Sequence, residues 1–466
     1  MTELSFPKEL EPFDHLMIKN EHDPRGRSGF LAVSILEAEP DPDGIRRVYD
    51  RASRVVVRLR QKVVMPTLPI AAPEWVVDPA FDLDFHLRHV SLPAPGRLRD
   101  LLDLAQPILT APFDLERPLW ELHVVTGLRE IGAAAVLMKT HHAVMDGMAA
   151  VELFKQVFDF EPDVDRSAIE PVPAPAPERT TAADLTRVAL RRMPATVLGG
   201  AARGMADAVG AATKVAAAPG KSAVEAAGLM RSVVKMFGGP PAPPSPLLRN
   251  RGVGRRFDVV DFSHDALRAT AKAAGGSLND AYLAGVCAVL RLYHEALGSP
   301  VDELPIALPI STRTDDDPAG GNRFSAATIA APVGELDPAE RIRRIGAQVR
   351  AAKAEPALTA MNAFLPIVAQ LPTWALAGMA GQMGSIDVQA SNVPGYPVPV
   401  YVDGIRVVRT FGFGPVPGVG AMITMTTMAG RCEVAANYDT DAFTDHDLFA
   451  RCLRDGFDEV VRPAAD

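Results

Sequence analysis

The stretch Lys139-Thr140-His141-His142-Ala143-Val144-Met145-Asp146-Gly147 has the residue types and spacing best suited to chemistry in this sequence. Two adjacent histidines end an apolar run, Ala133–Met138, that reads as a buried strand. Successive side chains of a strand point to opposite faces, so only one of the pair can face a given cavity. The other must pack or hydrogen-bond. Imidazole near its ordinary pKa is a good proton acceptor at neutral pH. Asp146 either orients the loop through an arginine or caps the helix expected over Met148–Phe158. Gly147 permits a sharp turn or a close backbone approach. On residue types alone, two core histidines and a helix cap fit this stretch as well as a catalytic site does. No metal is expected, because no further ligand cluster accompanies the pair.

Other chemistries find no support. There is no GxSxG turn and no HExxH pair. Pro219-Gly220-Lys221-Ser222 ends like a phosphate-binding loop, but Val215 stands where its first glycine belongs. Gly412-Phe413-Gly414 lacks the downstream glycine of a dinucleotide fingerprint. The three cysteines, Cys287, Cys432 and Cys452, are odd in number and show no CxxC spacing, which argues against a disulfide framework or a structural zinc site. A net charge of −9 without a basic tail argues against a nucleic-acid partner.

The elements that must position the histidines belong to a mixed α/β chain. A length of 466 residues allows two to four domains. The proline-rich runs 171–177 and 239–246 read as stiff linkers. They suggest a first lobe at 1–165, a connecting segment at 166–250 and a second lobe at 251–466. From Arg166 to Arg249 there are 11 Lys/Arg against 5 Asp/Glu, a net of +6, which leaves −15 for the rest. Within it Val224, Ala227, Met230, Val234 and Phe237 recur at helical spacing. A basic amphipathic helix can lie on an anionic membrane; packing on the lobes is the alternative. Pro356–Ile386 carries no charge, but Pro366 and Pro372 interrupt it, so buried or interfacial helices are expected rather than a bilayer span. Ser277, Asp280 and Gly298 predict a helix with a serine N-cap, an acid at its third position and a glycine stop. The charged N-terminus lacks the apolar core of a signal peptide.

HHxxxDG at 141–147 resembles the signature of the CoA-dependent acyltransferase superfamily. Further blocks resemble one branch, the bacterial wax ester synthase/acyl-CoA:diacylglycerol acyltransferases. They are Pro73–Pro79 with Phe81–Arg88, Pro118-Leu119-Trp120, Asn279-Asp280, Pro309–Arg313, Gly321-Asn322 and Ser391-Asn392-Val393-Pro394-Gly395. The blocks occur in order and cover nearly the whole chain. Two differ from the branch: Tyr396 follows Gly395 where proline is usual, and a Ser-Tyr pair is replaced within Thr424–Ala429.

The resemblance implies two chloramphenicol-acetyltransferase-like α/β lobes with a substrate tunnel at their interface. It implies acyl transfer from acyl-CoA, a co-substrate, to diacylglycerol or a long-chain fatty alcohol, with no other cofactor. His142 would be the general base. His141, Asp146, Gly147 and Arg313 would support it, Asp146 pairing with Arg313. Pro118, Leu119, Trp120, Asn279, Asp280, Asn392 and Gly395 would line the tunnel or build its walls; a purely structural part is open for each. The expected location is cytoplasmic, peripheral to the membrane or a lipid droplet. Two alternatives are an acyl donor carried on a protein and a non-catalytic lipid-binding protein.

Overall fold

The computed structural model describes residues 6–68, 70–145, 153–164, 172–192, 240–311, 324–354 and 386–461. Asp146, Gly147, Arg313, the apolar spacing from Val224 to Phe237 and nearly all of Pro356–Ile386 lie outside the described residues. So does the beginning of the expected helix at Met148; residues 153–157 are helical.

The first half of the chain supplies α1 (Pro12–Asn20), β1 (Gly29–Leu36), α2 (Pro42–Val55), β2 (Gln61–Val64), β3 (Glu74–Val77), α3 (Leu83–His86), β4 (Leu87–Ser91), α4 (Leu98–Thr110), β5 (Trp120–Thr126), β6 (Ala134–His141) and α5 (Ala182–Arg192). The second half supplies β7 (Arg255–Ser263), α6 (His264–Ala273), α7 (Leu278–Ala296), β8 (Leu304–Ser311), β9 (Phe324–Ala331), α8 (Pro338–Lys353), β10 (Val388–Val393), β11 (Tyr401–Val402), β12 (Ile405–Phe413), β13 (Ala421–Met428), β14 (Arg431–Asp439) and α9 (His446–Val461).

These form two sheets of six strands, ordered β11-β12-β1-β6-β5-β4 and β7-β14-β13-β10-β8-β9. The first contains a strand pair from the second half, because β12 lies antiparallel along β1 with Leu31 opposite Phe413. Sequence reading placed residues 401–413 with the second lobe; nothing local in a strand's pattern names the sheet it will join. The described parts of the 166–250 segment pack on both lobes. Thr186 Oγ1 accepts hydrogen bonds from Thr67 and Leu68 N–H in the first, and Ser245 and Leu248 are buried in the second.

Each sheet has two unlike faces. In the first, Val136 and Met138 of β6 pack with Ile45, Val48 and Tyr49 of α2. The alternate residues Ala135 and Leu137 pack with Leu31, Val33, Phe411, Phe413 and the α4 residues Leu101 and Ala105. Phe257 of the second sheet stacks on Phe413 at 4.2 Å, so this second face looks toward the other lobe. In the second sheet, Val388, Ala390, Ile423 and Val434 pack against α7. That helix begins where the sequence places it. Ser277 Oγ accepts from Asp280 N–H and the Asp280 carboxylate accepts from Ser277 N–H, closing a capping box. Gly298, just past its end, has φ +68°.

Charged groups tie the lobes together. Arg99 of α4 donates to Phe257 O (2.7 Å) and Asp258 Oδ1 (3.0 Å). Arg409 of β12 bonds Asp261 at 2.6 Å, and Thr410 N–H donates to buried Glu433 at 2.7 Å.

Candidate active site

The histidine strand is central in its sheet and wholly buried along its length. Its register is fixed on both sides: Gly29 lies opposite His141, and Trp120 opposite Thr140. Leu119 and Trp120 anchor it. His141 N–H donates to Leu119 O (3.0 Å), and Trp120 Nε1 donates to Leu59 O (2.7 Å). The indole stacks on His86, ring centroids 4.4 Å apart. Both Leu119 and Trp120 are core residues, and Pro118 leads into the strand they begin.

The two histidines have different surroundings: His141 closes the strand and His142 opens the turn after it. His141 is fully buried on the face that carries Lys139. Its Nδ1 accepts from Ala143 N–H at 3.1 Å, which places its proton on Nε2. Nε2 stands 3.4 Å from Glu21 Oε2, so its N–H faces the carboxylate at a distance longer than an aligned hydrogen bond. Burial opposes ionisation of Glu21, but His141 together with the Phe113 and Ser28 N–H groups outweighs it and holds the carboxyl below its ordinary value. His142 lies just past the strand and is half-buried. Its N–H donates to Ser28 O at 2.8 Å and its ring meets Phe30 edge-on at 5.8 Å. The turn is closed by Val144 N–H donating to His141 O at 2.9 Å. Residues 21–28, which supply Glu21 and Ser28 to this turn, are pinned to the end of α4 by Arg27, whose Nη1 donates to Thr110 O at 2.6 Å.

Lys139 is buried beside this pair. Its Nζ donates to Ala111 O at 2.7 Å and sits 4.2 Å above the Phe113 ring. Burial pushes its pKa down to about 8, partly offset by Glu121 and Glu21. Sequence reading missed both Glu21 and Lys139 as parts of the site. Glu21 is 120 residues from His141, and no spacing rule connects them; a lysine within a buried apolar strand was the available signal.

Of the remaining blocks, Pro309–Ser311 and Ser391–Gly395 lie on and just past strands of the second sheet, and Asn279-Asp280 opens α7. β8, β10 and β13 run parallel, so the ends at Ser311, Val393 and Met428 share one edge. In open parallel sheets ligands bind beyond these carboxyl ends. Asn392 pairs with Met425 in the ladder and, by alternation from Val388 and Ala390, belongs to the face toward α7. Gly395 is exposed, and a Cβ there would stand 2.0 Å from Thr427 O, so only glycine fits the turn. Asn279 is half-buried and Asp280 is the buried half of the α7 cap. The opposite face of these strands carries Gln389, Ser391, Thr424 and Thr426, polar residues alternating through apolar strands. That face looks toward β12, since Thr426 Oγ1 donates to Thr410 O at 3.2 Å. Among the described residues no group of three or more His, Cys, Asp or Glu is placed to hold a metal. None of the described helices is long and apolar enough to cross a membrane.

A two-sheet α/β fold with an HH pair at the end of its central strand defines the class, CoA-dependent acyltransferases of the HHxxxDG type. Comparison with known proteins is narrower. Residues 10–282 match the model of the wax ester synthase/diacylglycerol acyltransferase catalytic domain, and 320–460 match the WS/DGAT C-terminal domain. A provisionally named diacylglycerol O-acyltransferase of Mycobacterium tuberculosis H37Rv is 44% identical over 453 residues, 97% of this chain and 91% of that protein. Another from the same strain, tgs2, is 31% identical over 78% of each chain. Among solved structures, the wax ester synthase/diacylglycerol acyltransferase of Marinobacter aquaeolei VT8 has the same fold, with TM-score 0.64, 20% identity, and 97% of this chain and 98% of that one covered. The first condensation domain of the CDA synthetase superposes with TM-score 0.59 at 16% identity, covering 99% and 98% of the two chains. The chain belongs to the wax ester synthase/diacylglycerol acyltransferase family.

Proposed function

We propose that this protein moves a fatty acyl group from acyl-CoA to the hydroxyl of diacylglycerol or a long-chain alcohol, with His142 as general base. The observation that carries the reading is the half-buried His142 at the end of the central strand in a member of this family. His142 takes the hydroxyl proton as the oxygen attacks the thioester carbonyl. The tetrahedral adduct collapses, the C–S bond breaks, and the imidazolium returns the proton to the CoA thiolate. General-base assistance of this kind contributes roughly 10²–10⁴-fold; holding both chains in one place between the lobes supplies much of the rest. A direct transfer also suits the thiols. Burial pushes Cys287 and Cys432 up to about 12 and Cys452 up to about 11, which leaves none of them a ready nucleophile. His141, held between Ala143 N–H and Glu21, positions the turn. Asp146 paired with Arg313 is the second proposed support. No cofactor beyond the acyl-CoA co-substrate is invoked.

The test is purified protein with one acyl-CoA and a panel of diacylglycerols and alcohols, with products resolved and free CoA measured. Ester and CoA should appear in equal amounts. No CoA release with any alcohol would overturn the reading.

The acceptor lipids lie in membranes, and we propose a peripheral contact through α5. This helix docks by Leu185 and Thr186 and leaves Val188 and Leu190, 44% and 50% exposed, beside Arg187, Arg191 and Arg192. Basic contacts to anionic lipid weaken with salt. Vesicle co-sedimentation should rise with anionic lipid, fall with salt and drop when the three arginines are neutralised together. Equal binding to neutral vesicles, unaffected by that change, would reject the contact.

A further inference from the structure

Residues 394–400 carry the chain from one sheet to the other, since β10 ends at Val393 in the second sheet and β11 begins at Tyr401 in the first. In this crossover Tyr396 is half-buried, whereas Pro394, Gly395, Pro397, Val398 and Pro399 are exposed. The Tyr396 backbone is fastened to the second lobe. Ala429 N–H, in the β13–β14 turn, donates to Tyr396 O (2.9 Å), and Gly395 N–H donates to Thr427 Oγ1 (3.2 Å). The Tyr396 ring is fastened to the first lobe. It meets Phe158 edge-on with ring centroids 6.1 Å apart, and Phe160 edge-on at 5.4 Å.

These phenylalanines follow the histidine turn in the chain and pack with it. Phe158 stacks at 5.3 Å on Phe154, one of the helical residues 153–157. Leu153, Val157 and Phe158 share one buried cluster with Ala143, Val144 and Met145 of the turn that His142 opens, and Tyr396 packs against that cluster. Met428 and Ala429 reach it from the same edge of the second sheet. Asp159 and Tyr401 exchange two backbone hydrogen bonds of 2.8 Å, so the segment past Phe158 is strapped along β11. The Tyr396 ring thus joins a turn of the second lobe to the stretch that leaves the histidine turn. Edge-on ring pairs are individually weak, each shifting an equilibrium by roughly 2–10-fold, so two of them act as a latch that sets a spacing. The proline usual here in the branch that the sequence resembles carries no aromatic ring to make these contacts.

We propose that Tyr396 is a positioning residue for acyl transfer: through Phe158 and Phe160 it fixes the distance between the histidine turn of the first lobe and the edge of the second sheet where the parallel strands end. The inference rests on His142 acting as the base. Direct transfer asks the base, the hydroxyl and the thioester to meet in one geometry, and a displacement of about 1 Å at such a site can cost 10²-fold in rate. Tyr396 acts through the turn and not on the reacting atoms.

The test uses the full-length variants Tyr396→Ala, Tyr396→Phe, Phe160→Ala and the double variant Tyr396→Ala/Phe160→Ala. Phe160 is 50% exposed, so its variant keeps the fold even where Tyr396→Ala does not. Amide hydrogen exchange needs no turnover, so it reports on the latch even if no alcohol is accepted or His142 is not the base. Tyr396→Ala should speed exchange about fivefold or more at residues 153–160 and at Ala143 and Val144, with exchange along α7 unchanged. Its kcat should fall about tenfold while KM for acyl-CoA stays within about twofold. Tyr396→Phe should match wild type in both readouts. Phe160→Ala should speed exchange at the same residues and lower kcat about two- to fivefold. The double variant should be no slower than Tyr396→Ala, because both changes break one latch. Faster exchange at 153–160 with none at Ala143 and Val144 would make Tyr396 a packing residue and overturn the proposal. So would an unchanged kcat in Tyr396→Ala, or losses that simply multiply in the double variant.

Discussion

The two lobes turn differently built surfaces toward each other. On the first sheet, the end that carries the histidines buries ionisable groups: Glu21, Lys139 and His141 are all buried, each held by named neighbours. On the second sheet, β10 and β13 present uncharged polar side chains toward β12, with Ser391 and Thr426 half-buried, while the charges that meet β12 come from β7 and β14, Asp261 and Glu433. Removing one member of a buried charged group strands the others, whereas removing one hydroxyl from a polar wall strands little. The first surface is therefore built to fix one geometry. The uncharged part of the second can accept substitutions that change what it touches.

The contrast can be broken most directly at His142. His142→Ala should lower the turnover rate by roughly 10²–10⁴-fold, the range of a lost general base, with unfolding by urea unchanged. A folded variant with more than half the activity would remove the base from the first surface altogether. Glu21→Ala should act through stability first. It takes the carboxylate acceptor from His141 Nε2–H and from Phe113 N–H in a buried site, which costs about 1–3 kcal/mol in chemical denaturation. A loss under 1 kcal/mol would show that the charged end is no more rigid than the polar wall.

Lys139 sharpens the contrast through pH. Its pKa falls from 10.5 unfolded to about 8 in the fold, so between these values the unfolded chain binds the extra proton. Stability should rise with pH across that window, by about 3 kcal/mol at most. Lys139→Met should flatten the rise relative to wild type. Parallel curves for the two proteins would contradict a depressed lysine. The smallest effect is expected at Thr424→Val. Among the described residues Thr424 Oγ1 is buried without a partner, so the isosteric change should leave stability within about 1 kcal/mol of wild type while altering KM for the alcohol.

What could be read in the sequence followed local rules. The α7 cap and its glycine stop were legible because Ser277, Asp280 and Gly298 act within one helical turn of the residues they stop or start. The burial of His141 was legible from the apolar run it ends, whereas His142 lies in the turn past the strand, where alternation no longer applies. Glu21 was not legible, since its meeting with His141 depends on a loop tied to α4 through Arg27. The exchange of β12 between halves was hidden for the same kind of reason. Its apolar alternation, with Val407, Phe411 and Phe413 buried, suits either sheet, and only the tertiary fold selects β1.

That exchanged strand has a consequence for how the protein comes into being. During synthesis, β1 emerges early but must wait for residues 405–413 before its second edge is paired. At roughly 5–20 residues per second, the ribosome leaves this edge open for tens of seconds. An exposed hydrophobic strand edge is a template for pairing with another chain. The nascent chain thus passes through a prolonged period in which its histidine sheet is unfinished, and shielding by a chaperone has its greatest value there. For the same reason a fragment ending before β11 should be made as insoluble material rather than as a free first lobe.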